Sequence, residues 1–120
     1  MYKKHEIGKL GEDLAVRYLE DKEKYKILER NFESKQGEID IIALDNKKEE
    51  LVFIEVKTRT TLRYGKPIEA VDEVKQKHLI QTIKYYLYSR HLENEFIRLD
   101  VIEIYLYKHR YKVNHIKQII

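Results

Sequence analysis

Two charged residues, Glu55 and Lys57, interrupt the apolar run "FIEVKTR" at residues 53–59. Alternation with a period of two places Val52, Ile54 and Val56 on one face of a strand and Leu51, Phe53, Glu55 and Lys57 on the other, so the acid and the base share a face. On an exposed edge strand they would make a solvated ion pair of little energetic worth. A third charge suggests more. Asp40 lies inside "EIDIIA", where a carboxylate is costly to bury without a partner. If residues 37–44 and 50–57 pair as a hairpin, residues 38–42 lie beside residues 53–57 and Asp40 faces Glu55. Carboxylates that close repel each other unless a cation separates them. A hard divalent ion such as Mg²⁺ takes one or two carboxylates and completes its shell with water and substrate phosphate. The competing reading has Asp40 bonded to turn backbone or to an arginine, and Glu55 paired with Lys57.

Two further charges occupy unusual places. On a helical wheel Glu12 falls at the rim of an apolar stripe, with Gly8, Gly11 and Ala15 on the adjoining side, where small residues would let the helix approach a sheet closely. The alternative is a surface glutamate near a helix N-terminus, where its charge suits the dipole. Lys75 lies in line with Val71, Leu79 and Thr82, inside the stripe that should bury Ile83 and Tyr86. It must snorkel to water or reach a charge.

The elements that would position these residues follow from periodicity. Ile7, Leu10, Leu14 and Tyr18 recur at helical spacing between His5 and Lys22. Residues 25–32 read as a first strand, and residues 37–44 and 50–57 as a hairpin across the polar turn "DNKKE". A polar, basic loop, "TRTTLRYGKP", leads through Pro67 into a helical pattern from about Glu69 to His91. "IRLDVIEIYLY" and "YKVNHIKQII" close the chain as two strands paired across "KHR". The order α, β, β, β, α, β, β predicts an α/β sheet flanked by helices.

At 120 residues, with 42% hydrophobic and 38% charged side chains but only four glycines and one proline, the chain is expected to form one compact domain. The absence of cysteine excludes disulfides and thiolate metal sites and fits a reducing compartment. The five histidines are scattered, which makes zinc an unsuitable cofactor. With no signal-like h-region and no apolar run of membrane length, a soluble, cytoplasmic protein without membrane partners is expected. A net charge of +3 permits nucleic-acid binding without requiring it.

Taken together, "GKLGEDLAVRYL", "GEIDIIA", "VFIEVKTR", "EAVDEVKQKHLIQTIKYYL" and "RLDVIEI" resemble, in order and spacing and over nearly the whole chain, the YraN-like family of small bacterial proteins. That family is similar to archaeal Holliday junction resolvases within the PD-(D/E)XK, or restriction-endonuclease-like, nuclease superfamily. The resemblance implies a single nuclease-like domain across residues 1–120, built on a mixed sheet of about five strands flanked by helices. It also implies Mg²⁺- or Mn²⁺-dependent hydrolysis of DNA, branched or junction DNA included. Asp40 becomes the motif aspartate, Glu55 and Lys57 the E-x-K, Glu12 the helical acid, and Lys75 with Gln76 the "KQ" of the following helix. Ile39 stands where proline would precede the aspartate.

In that scheme Asp40, Glu55 and the Val56 carbonyl would hold the metal, with Glu12 acting directly or through water, and Lys57 would orient the attacking water or stabilise developing charge. Lys75 and Gln76 would position a phosphate, while Arg59, Arg63 and Lys66 would track the backbone of the nucleic acid from an exposed loop. A symmetric cut of a junction would suit a twofold homodimer. The rival readings are a nucleic-acid-binding adaptor that keeps the fold without turnover, and a structural or assembly protein.

Overall fold

A methyl group added at Gly11 would stand 1.9 Å from the hydroxyl oxygen of Thr58. That near contact sets how the first helix lies on the sheet. The computed structural model describes residues 3–60 and 72–120. In it, helix α1 (Lys4–Tyr18) runs into a π-helical turn at Leu19–Glu23, so the expected helix to Lys22 is two elements. Lys24, in the left-handed region at φ 62, ends the turn, and the Leu19 carbonyl accepts the Tyr25 N–H at 2.9 Å. Gly11 and Ala15 are the buried positions of α1. Gly8 is exposed, with nothing near its missing side chain, so the close approach expected of Gly8, Gly11 and Ala15 involves the latter two.

Strands β1 (Lys26–Ser34), β2 (Gly37–Asp45), β3 (Glu50–Arg59), β4 (Phe96–Tyr107) and β5 (Arg110–Ile116) form one sheet in the order β1-β2-β3-β4-β5. β3 and β4 pair in parallel and all other neighbours antiparallel. The expected mixed five-stranded α/β sheet is therefore present. A parallel pair needs a crossover, which contains helix α2 (Glu73–Ser89). The Asp72 side chain caps α2 by accepting the Lys75 N–H at 2.8 Å. The predicted start of this helix near Glu69, with Pro67 and Val71, lies outside the described residues.

Each face of the sheet carries one helix. Ile41, Ala43, Val52, Ile54, Ile102 and Ile104 pack with Ala15 and Leu19 on the α1 face. Ile42, Phe53, Leu99 and Val101 pack with Leu79, Ile83 and Tyr86 on the α2 face. Burial on both faces explains why β2 to β4 read as near-continuous apolar runs. Among the described residues no helix is long and apolar enough to cross a membrane.

A buried ionic cluster at one end of the sheet had no counterpart in the sequence reading. Arg98 is 2% exposed and donates to Asp100 at 2.9 and 3.1 Å, to Glu50 at 3.0 Å, to Asp45 at 3.3 Å and to the Tyr25 hydroxyl. His115 Nε2 lies 2.7 Å from Asp100 Oδ2, the same oxygen that accepts from Arg98 at 3.1 Å. The arginine, the imidazole and the Gln118 N–H hold the Asp100 carboxyl below its ordinary range despite its burial. Charges this deep are tolerated because they are paired and hydrogen-bonded.

Candidate active site

Regular pairing between β2 and β3 ends at Ile41 opposite Ile54. Asp40 is the next residue along β2. Ile39 belongs to the α2 face and Ile41 to the α1 face, although residues two apart on a regular strand share a face. The alternation therefore breaks at Asp40. On β1 the residue opposite is Asn31, whose backbone is left-handed at φ 53. The irregularity turns the Asp40 side chain toward β3, where Oδ2 accepts the Val56 N–H at 2.7 Å. Asp40 thus takes the place of the missing backbone ladder.

Glu55 lies directly beyond the last β2–β3 pair, as the hairpin register predicted. It is buried, and its carboxyl is within hydrogen-bonding reach of Asp40. Burial, with the Asp40 charge adding to it, pushes the Glu55 pKa from 4.5 up to about 7, while Lys75 and Lys57 pull it back. The Lys75 ammonium is 3.9 Å from Glu55 Oε2. The lysine in line with the apolar stripe of α2 therefore keeps its side chain exposed and reaches a charge, meeting both of the outcomes open to it. Lys57 is half-buried on the same face as Glu55, and Gln76, half-buried, follows Lys75 in the first turn of α2.

Glu12 comes from the opposite face of the sheet. Its Oε1 accepts from Arg30 at 3.1 and 3.3 Å and from Asn31 at 3.0 Å. Arg30 also holds Asp13 at 2.6 Å. Because of the kink at Asn31, two consecutive β1 side chains reach one acid on α1. Glu12 nevertheless lines an open cleft of about 600 Å³ together with Asp40, Val56, Thr58, Thr60, Lys4, Ile7 and Gly8. Asp40 is the junction: the Glu55–Lys57 ladder meets it from the α2 face and the Glu12 cleft from the α1 face. Lys4, Thr58, Arg30 and Asn31 were not singled out in the sequence. Nothing local marks a strand arginine as the clamp of a helical acid eighteen positions earlier.

Among the described residues no three Asp, Glu, His or Cys side chains converge closely enough to form a metal cage by themselves. The Asp40 and Glu55 pair still suits a hard cation, since it offers two carboxylates and no nitrogen or sulfur donors. Arg59 requires a correction. Rather than lying in an exposed loop, it is the last residue of β3, and its guanidinium is 3.2 and 3.3 Å from the fully buried carboxylate of Glu103. The parallel neighbour β4 supplies that acid, and desolvation makes it demand a cation. Arg63 and Lys66 lie outside the described residues.

Residues 11–104 match the family described as "Uncharacterised protein family UPF0102". The chain belongs to this family. A UPF0102 protein of Caldanaerobacter subterraneus subsp. tengcongensis is 46% identical over 116 residues, 94% of this chain and 93% of that protein. A UPF0102 protein of Clostridium perfringens is 49% identical over 113 residues, 92% of this chain and 90% of its own length. Among solved structures, a repair endonuclease from Pyrococcus abyssi is similar over 91% of this chain and 41% of its own, at 18% identity and a TM-score of 0.44. The YraN-like resemblance expected from the motifs is thus a membership of UPF0102.

Proposed function

We propose that this UPF0102 protein is a metal-dependent endonuclease of the PD-(D/E)XK type that hydrolyses phosphodiester bonds in DNA, branched DNA included. The observation that carries the proposal is the meeting of two carboxyl groups, Asp40 and the buried Glu55, with Lys57 on the same face and Lys75 within 3.9 Å. A fold gains little stability from crowding two acids at a break in its sheet. A nuclease needs that arrangement.

Asp40, Glu55 and the Val56 carbonyl would hold Mg²⁺ or Mn²⁺. When bound, the ion would polarise the phosphodiester and lower the pKa of a coordinated water. The Val56 N–H keeps Asp40 Oδ2 oriented and leaves the other carboxylate oxygen for the ion. Lys57 orients the water that attacks phosphorus and stabilises charge on the equatorial oxygens; one P–O bond forms to the water and one breaks to the leaving sugar oxygen. Lys75 and Gln76, at the first turn of α2, position a neighbouring phosphate, aided by the helix N-terminus. Glu12 acts through water, since Arg30 and Asn31 occupy one of its oxygens.

That grip on Glu12 also favours a second reading, a nucleic-acid-binding adaptor that retains the acids without turnover. The test is a panel of branched, duplex and single-stranded DNAs incubated with Mg²⁺ or Mn²⁺. Cleavage by the wild type that is lost in Asp40→Asn and Lys57→Ala, with binding retained, supports the nuclease. Binding without metal-dependent cleavage on any substrate supports the adaptor.

A further inference from the structure

The apolar stripe Ile7, Leu10 and Leu14, expected to face the core, is only half-buried, because Gly11 and Ala15 make the contact with the sheet. These three side chains, with Leu106, instead line a second groove of about 670 Å³ between α1 and the tip of the β4–β5 hairpin. The remaining lining is Lys108, His109, Arg110, Tyr111 and Thr60. Among the described residues the groove has no acidic lining, and neither Lys108 nor Arg110 takes part in an ion pair. Ile7 and Thr60 line both this groove and the Asp40 cleft, so the two are continuous.

The hairpin tip is unusual as a turn. Tyr107 pairs with Arg110, leaving Lys108 and His109 as a two-residue connection, and Lys108 is left-handed at φ 55. Such turns strongly favour Gly or Asn. Here a lysine holds the position, its ammonium over the Tyr107 ring at 5.5 Å. Tyr107 and Tyr111, each 48% exposed, flank it.

An apolar floor, an exposed aromatic ring and a cationic rim without acids are the complement of a nucleotide whose base is unpaired. Stacked base pairs hide their faces from such a floor. Single strands offer bases to aromatic and apolar side chains and phosphates to the rim. We propose that this groove receives the unpaired nucleotides of the DNA strand whose phosphodiester enters the Asp40 cleft, with a base against Leu10, Leu106 and Tyr111 and phosphates on Lys108 and Arg110. The proposal rests on the nuclease reading and makes its substrate one with a single-stranded segment beside the cut.

The test is fluorescence anisotropy in EDTA with a labelled single-stranded oligonucleotide, the matching blunt duplex, and anionic phospholipid vesicles as a competing surface. The wild type should bind the single strand at least about tenfold more tightly than the duplex. Tyr111→Ala should weaken that binding by about 5- to 150-fold, the range of one base–aromatic stack. The double variant Lys108→Gly, Arg110→Ala should weaken it further and flatten its log–log salt dependence by about 0.7 per lost phosphate contact. Lys108→Gly suits the φ of the turn, so the fold survives. Asp40→Asn should bind the single strand at least as well as the wild type. Equal affinity for duplex and single strand, wild-type affinity in the hairpin variants, or vesicle binding in place of DNA binding would each overturn the proposal. Cleavage measured separately with Mg²⁺ keeps the two readings distinct. Asp40-dependent cutting that is indifferent to the hairpin variants sinks the groove alone, and hairpin-dependent binding without cutting sinks the nuclease alone.

Discussion

The Val56 amide donates to Asp40 across the point where β2 and β3 stop pairing, at 2.7 Å. One carboxylate oxygen thereby completes the sheet while the side chain remains beside Glu55. Structure and candidate chemistry thus share one residue, and substitutions can separate them.

Asp40→Asn keeps an acceptor for the Val56 N–H and removes the charge, so it should fold and stop cleaving. Asp40→Ala leaves that partly buried N–H without its acceptor and should also lose about 1–3 kcal/mol of stability. Urea unfolding of the two variants against wild type reads the difference.

Stability in metal-free buffer should fall as pH rises through the Glu55 transition. Its folded pKa is about 7 against an ordinary 4.5, so between those values the folded chain holds a proton that the unfolded chain has released. The contribution is full below the lower value and lost above the upper one, on the order of 3 kcal/mol in all. Asp100, shifted the other way, acts only at more acid pH, where its protonation destabilises the fold. Urea midpoints across the range should show the fall in wild type and a shallower one in Asp40→Asn. Because a bound cation competes with the Glu55 proton, Mg²⁺ should raise the melting temperature more at high pH than at low pH.

Arg59→Ala should behave as a structural lesion. Among the described residues it leaves the buried Glu103 carboxylate with hydrogen bonds from the neutral donors Tyr105 and Asn114 and should cost about 1–3 kcal/mol. The salt dependence of DNA binding should not change. A flatter salt slope at wild-type stability would return Arg59 to the backbone-tracking role.

Arg98→Ala should be among the most damaging single changes, at about 3–5 kcal/mol, since it takes the guanidinium from the buried carboxylates of Asp45 and Asp100 and from the half-buried Glu50. Thermal unfolding would show it without any change in the cleft.

Two glycines three residues apart on α1 should respond oppositely to alanine. Gly11→Ala drives a methyl into Thr58 and should destabilise by about 1–3 kcal/mol, with partial rescue by Thr58→Ala in a double-mutant cycle. Gly8→Ala meets nothing and should gain up to about 1 kcal/mol from helix propensity.

Local patterning was enough to order the elements, to place Glu55 and Lys57 on one face and to set Asp40 beside Glu55. Each of these depends on strand period and on a hairpin whose register its short turn and hydrophobic faces dictate. Lys75 was legible as a charge that would snorkel to water or find a partner, and it does both: its side chain stays exposed while its ammonium comes within 3.9 Å of Glu55. What patterning could not supply was any contact decided by the order of strands. Glu103 claims Arg59 only because β4 adds in parallel beside β3, and Arg98 is caged only because β2, β3 and β4 end together. The kink that turns Asp40 toward Val56 and lets Arg30 and Asn31 share Glu12 is a property of two strands at once. The groove under the β4–β5 hairpin exists because Gly11 and Ala15, rather than the larger Ile7, Leu10 and Leu14, let α1 settle onto the sheet. A periodic stripe shows which residues are apolar. Only the packed structure decides which of them the core accepts and which are left facing a neighbour.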